Sequence, residues 1–129
     1  CISRGSYGFV FLSKNDLLKL ANFFKVSLFN FKKKYCHTTD GFVHLKETRK
    51  NGECIFLKDN NKCSVYKYRP TQCRTWPFWP ENMNVKKWNV DVVNFCPGIG
   101  KGNLLNMKKI DKLLKIDKKN AKEIYRDLN

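Results

Sequence analysis

Six cysteines, at positions 1, 36, 54, 63, 73 and 96, are the side chains of this sequence best equipped for chemistry. A thiolate is both a nucleophile and a soft metal ligand, and two thiols can close a disulfide. An even count permits three disulfides in an oxidising compartment, yet a chain of 129 residues does not need such staples to fold. CxxC pairs of the zinc-finger kind are missing. Spacing therefore leaves three states open: a thiolate metal site, buried reduced cysteines, and disulfides.

Other chemistry is thinly supplied. His37 and His44 could donate nitrogen, but His44 alternates with Val43 and Leu45 and reads as an ordinary exposed or cross-strand histidine. Gly98-Ile99-Gly100-Lys101-Gly102 lacks the preceding strand, following helix and glycine spacing of a phosphate-binding loop. No Ser/His/Asp pattern or general-base constellation accompanies it, so the sequence leaves enzymatic activity undetermined.

The elements that must position the cysteines fall into three regions. Ser13 and Asp16 have the spacing of a capping box, and Leu17, Leu18, Leu20, Ala21 and Phe24 recur at helical intervals, predicting a helix from Lys14 to Phe24. A second, shorter helix is expected after Ser27, burying Leu28, Phe31 and Tyr35. Between residues 42 and 66 the texture turns to β: Phe42–Leu45, Cys54–Leu57 and Cys63–Tyr66 read as strands, with 59–62 as a turn between the last two. Arg69-Pro70 breaks the last strand, with Pro70 expected at the first position of a short helix that carries Cys73. Beyond the flexible turn 97–102, apolar residues recur at helical spacing to Leu128. The expected fold is α+β: a small antiparallel sheet or hairpin with N- and C-terminal helices around a cysteine cluster. Residues 1–129 form a single domain in this reading, with 103–129 as a helical, charged flank.

Composition supports a folded domain, with 42% hydrophobic and 14% aromatic residues. No apolar run approaches the roughly 20 residues needed to cross a bilayer, so the expected protein is soluble and cytoplasmic, with no membrane partner. Lys and Arg number 26 against 11 acidic residues, a net charge of +15. That field would attract polyanions, but the charge is mostly lysine, spread along the chain among many asparagines, and arginine is the usual reader of bases and phosphates. Nucleic acid is therefore not the expected partner, and a protein partner is unspecified.

Four stretches carry a resemblance: Cys54-Ile55-Phe56-Leu57, Cys63-Ser64-Val65-Tyr66, the run Arg69 to Phe78 around Cys73, and Cys96-Pro97-Gly98-Ile99-Gly100. In order, spacing and flanking residues they resemble the YkgJ-type cysteine-cluster family, a zinc- or iron-chelating domain named for a CxxCxxCC motif. In that family the motif stands just before a segment like Gly8-Phe9-Val10-Phe11-Leu12-Ser13, so Cys1 corresponds to its last cysteine. The motif's other three cysteines are absent from the sequence, which implies a chain cut inside the cluster. The resemblance implies metal ligation by Cys1, Cys54, Cys63, Cys73 and Cys96, with zinc or iron, including an iron–sulfur cluster, as the cofactor. Cys36 matches no family position and reads as a structural thiol.

Arg69 and Arg74, flanking Cys73, are candidates to donate hydrogen bonds to thiolates or to pair with a carboxylate or carbonyl. Trp76, Phe78 and Trp79 are expected in the core, or else as an apolar wall beside the sulfurs, with Pro77 and Pro80 holding them extended, or as a recognition surface. The resulting function is metal binding without an assigned reaction. An enzyme reading, as an iron–sulfur oxidoreductase or a lysine-methylase-like protein, follows from a similar cysteine signature in such proteins.

Overall fold

The computed structural model describes residues 8–48 and 52–128. Two short helices open it: α1, Lys14–Phe23, and α2, Leu28–Tyr35. Each begins at a serine whose side chain takes up an otherwise unpartnered amide: the Asp16 N–H donates to Ser13 Oγ and the Asn30 N–H to Ser27 Oγ. Phe31 is fully buried on α2, while Leu28 and Tyr35 are half-buried.

The helices lead into a hairpin, β1 Cys36–Thr39 and β2 Phe42–Leu45, paired antiparallel from Cys36 opposite Leu45 to Thr39 opposite Phe42. Asp40 and Gly41 make the loop, both with positive φ (51° and 83°). That is the requirement of a two-residue type I′ turn, which Asp-Gly meets at little strain. Residues 10–12 lie along the other edge of β2, where the Leu12 N–H donates to the Val43 carbonyl and the Leu45 N–H to the Val10 carbonyl, both at 3.0 Å.

The strands expected at Cys54–Leu57 and Cys63–Tyr66 do not form. The chain reverses there, but the Leu57 N–H donates back to the Cys54 carbonyl at 2.8 Å, closing a turn where a strand would stay extended. Among the described residues isolated bridges stand in their place, Glu47 with Cys54 and Leu57 with Cys63, and Tyr66–Tyr68 is a 3₁₀ turn. One inward ring explains the choice: Phe56 is buried among Phe24 and Tyr35, and the turn lets it point in while its neighbours stay half-exposed.

Cys73 lies on α3, Thr71–Thr75, which Pro70 precedes as the residue before the first turn, one position earlier than expected. After the cis Trp76–Pro77 bond, Pro80–Asn82 makes a 3₁₀ turn. Helix α4, Val85–Lys87, runs on as a π-helical segment, Trp88–Val93. The C-terminal helix α5 spans Met107–Arg126 without a break; residues 103–106 of the expected flank precede it. It is docked as well as charged: Thr75 Oγ1, fully buried, donates to Asp117 Oδ1 at 2.8 Å, and the Lys14 N–H donates to Asp127 Oδ2 at 3.1 Å. No helix among the described residues is long and apolar enough to cross a membrane.

The core joins α1, α2, the hairpin and the 54–65 reversal through Leu12, Leu17, Leu20, Ala21, Phe31, Cys36, Leu45, Phe56 and Val65. Phe24, Phe31, Tyr35 and Phe56 stack there with ring centroids 4.8–6.0 Å apart. Phe31→Ala should therefore cost about 3–5 kcal/mol in urea unfolding. Phe29→Ala, at a residue 73% exposed on the same helix, should change the midpoint by less than about 0.5 kcal/mol equivalent.

Candidate metal centre

The five described cysteines are free thiols. Cys54 and Cys63 stand at the two ends of the chain reversal and Cys73 in the middle of α3, and this arrangement brings the three within reach of one another's charge. The Cys73 thiol is pushed up to about 12, chiefly by burial and then by the neighbouring Cys54 and Cys63, with a smaller push from Asp16. Cys54 is also raised, by burial first and then by Cys63 and Glu47, against the Phe56 backbone N–H, which favours its thiolate. Negative charge on any one of these sulfurs thus opposes charge on the next. Among the described residues, no three Cys, His, Asp or Glu side chains are already arranged to hold a metal ion.

Cys96 is not among the groups that shift Cys54 or Cys73. It follows the π-helical segment, its N–H donating to the Val92 carbonyl at 2.8 Å, and its sulfur faces Gly98. Cys36 also stands apart, in the core at the start of β1. Burial raises it to about 11, with Lys32 and Lys46 lowering it in part. Cys1 lies outside the described residues.

The histidines take no part in the thiol group. His44 is buried, stacked on Phe9 at 4.0 Å, opposite His37 in the hairpin register. Its Nδ1 meets the Leu45 carbonyl at 3.0 Å and its Nε2 the Thr39 hydroxyl at 2.9 Å. A carbonyl can only accept, so Nδ1 carries the proton. Both nitrogens are thereby committed to the fold.

The residues around Cys73 are engaged one after another in holding α3. Thr71 donates twice to the buried carboxylate of Asp16, from its N–H at 3.1 Å and its hydroxyl at 2.8 Å. Ser13 Oγ donates to the second oxygen of that carboxylate at 3.2 Å. The Gln72 side chain completes the edge of the 9–11 segment, accepting from the Phe11 N–H at 3.1 Å and donating to the Phe9 carbonyl at 3.0 Å. Sequence reasoning placed Asp16 in a capping box and missed its second partner, 55 residues away.

Neither arginine has the role first considered for it at a thiolate. Arg74 donates to Thr71 Oγ1 at 3.1 Å, while Arg69 donates to the Tyr66 carbonyl at 2.7 Å and stacks on the Tyr66 ring. The aromatic run is not core either. Trp76, Phe78 and Trp79 are half-buried and lie outside the central cluster. Trp76 and Trp79 meet edge to face at 4.8 Å, and the Trp79 indole N–H is held by the Gln72 carbonyl and Thr75 Oγ1, so the pair lies along α3. Trp76 and Trp79, each directly before a proline, have extended backbone, but the run between them turns: the Phe78 N–H donates to the Thr75 carbonyl at 2.8 Å and the Trp79 N–H to the Pro77 carbonyl at 2.9 Å.

Two outcomes follow. Asp16→Ala strands the buried Thr71 donors and should cost about 3 kcal/mol, whereas Asp16→Asn, which keeps an acceptor oxygen, should cost about 1 kcal/mol; urea unfolding separates them. A thiol whose folded pKa lies above its unfolded value favours the fold below the unfolded pKa, and that contribution fades as pH rises through the folded one. For Cys73 the window runs from the ordinary 9.0 to about 12. Metal-free protein should lose stability across it, and Cys73→Ala should flatten the decline when unfolding midpoints are compared at pH 8 to 11.

Similarity to known proteins agrees with the cysteine pattern. Residues 10–97 match the CxxCxxCC family model, described as "Putative zinc- or iron-chelating domain". The relative "Uncharacterized protein MJ0661" of Methanocaldococcus jannaschii is 33% identical over 97 residues, covering 71% of this chain and 52% of that protein. The chain thus spans about half the length of this curated relative. No solved structure matches it. With Cys54, Cys63, Cys73 and Cys96 all inside the matched span, the chain belongs to the CxxCxxCC family of zinc- or iron-chelating domains.

Proposed function

We propose that the protein binds a zinc or iron centre through the thiolates of Cys54, Cys63 and Cys73, with Cys96 and Cys1 as further ligands. The observation that carries this reading is that three free, half-buried cysteines of the matched family span stand at the two ends of the reversal and on α3, with Cys63 close enough to raise Cys54, and both close enough to raise Cys73. Three sulfurs form a soft donor set suited to zinc, iron–sulfur centres or copper(I), and a four-coordinate structural zinc site needs one ligand more. Free thiols also fit a reducing compartment, and a cytoplasmic location belongs to this proposal.

When bound, such a centre either locks the fold, as zinc, or carries electrons, as an iron–sulfur cluster. The chain's own contribution is to hold the donors. α3 brings Cys73 to the chain reversal, and the reversal presents Cys54 and Cys63 from its two ends. The raised thiols must release protons on ligation, so binding weakens as pH falls. The edge-to-face pair Trp76 and Trp79 screens one side of α3 from water.

Anaerobic purification with elemental analysis and visible absorption separates zinc from iron with sulfide. Titration of metal-free protein with cobalt(II) tests the ligands directly. Cys54→Ser, Cys63→Ser and Cys73→Ser should each weaken cobalt binding about 100-fold or more and reduce the thiolate charge-transfer band, with Cys36→Ser unchanged. Cobalt spectra and affinities unaltered in the first three variants would refute the proposed site.

A further inference from the structure

Lysines scattered in the sequence become one surface on α5. At about 100° per residue, Lys108, Lys112, Lys115, Lys119, Lys122 and Arg126 fall within about 40° of a single line along the helix. All six are exposed. The line faces away from the docked side, where Ile110, Leu113, Asp117 and Ile124 are half-buried and Asn120 is buried. Acidic residues stay off it: Asp111 and Glu123 flank it on opposite sides. Among the described residues none of the six is in an ion pair; the pair that forms is Lys87 with Asp91, at 3.0 Å. A depression of about 460 Å³ opens among Lys108, Lys112, Lys115 and Lys119, lined also by Asp111 and Ile116.

We infer that this crest of α5 binds the phosphate backbone of double-stranded DNA without base selectivity. The match is one of charge and shape. A continuous helix of 20 residues carries the cations along a straight ridge. A helix about 10–12 Å across fits a major groove about 12 Å wide. Lysine supplies point charges to phosphates, and the crest has no aromatic ring to stack on unpaired bases and no Asn or Gln to read base edges. An anionic lipid surface fits less well, because a helix lying in a bilayer interface turns its apolar face to the lipid, and the apolar face of α5 is turned into the protein.

The test is fluorescence anisotropy with a random-sequence DNA duplex over a range of salt concentrations, comparing two variants of equal charge. K112Q/K115Q/K119Q removes three crest cations and keeps helix propensity. K32Q/K33Q/K34Q removes three exposed cations from α2. The crest variant should bind about tenfold or more weakly near 0.1 M salt, and its slope of log K against log salt should be shallower by about three; the α2 variant should stay close to the parent. Equal losses in both variants would reduce the effect to net charge and overturn the inference. So would tight binding to phosphatidylserine vesicles with none to the duplex. Both readouts are independent of metal, so the thiol-site reading can fail without affecting this result.

Discussion

The buried carboxylate of Asp16 is the interaction on which the site depends. A charge in an interior is costly unless hydrogen bonds replace its lost water. Here Ser13 supplies one donor and Thr71 two. Asp16 also lies in the first turn of α1, where free amides favour negative charge. The consequence reaches beyond α1. A helix of five residues cannot persist on its own, so α3 exists where it does because Asp16 and Gln72 hold its first turn. Cys73 follows one residue after Gln72, and its position relative to Cys54 and Cys63 is therefore set by bonds that involve no sulfur.

The local signals of the sequence translated well and the long-range ones did not. Ser13 and Ser27 cap helices because a hydroxyl at that spacing meets a free amide whatever the rest of the chain does, and Phe42–Leu45 is a strand as its alternation implied. The polar partner strand Cys36–Thr39 carries no apolar alternation; its cue was Asp40-Gly41, the turn that fixes the register. Cys54–Leu57 and Cys63–Tyr66 have strand-like composition, but one deep anchor, Phe56, was enough to bend the backbone into turns. The tryptophans were expected inside on account of their size. Their indole N–H groups need partners, and Trp79 finds two on α3, at the edge of the protein.

Cys36 and Cys73 show why burial alone does not mark a site. Both thiols are raised chiefly by desolvation. Around Cys36 the further influences are lysines, which would welcome a thiolate, and the sulfur fills a gap in the core. Around Cys73 they are two more sulfurs and a carboxylate, all opposing a second negative charge. Burial and neighbouring sulfur favour the neutral thiol at Cys54 and Cys73, and a cation that replaced their protons would relieve both. The company a thiol keeps separates the two cases, and in the sequence that company was visible only through the resemblance to a cysteine-cluster family.

The thiol group and the C-terminal helix share one joint. Thr75 lies two residues beyond Cys73, and its hydroxyl donates to Asp117 on the inward face of α5. Burial raises Asp117 above the ordinary carboxylate range, with the Thr75 bond working in the opposite direction. The joint therefore stabilises a partly desolvated charge and fixes the rotation of α5 about its own axis. Since the six cations lie opposite Asp117 on the helix, that rotation decides that they face outward as a single ridge. A residue beside the candidate ligand thus orients a surface on the far side of the helix, and any shift of α3 on metal binding must be absorbed at Thr75 or passed to α5.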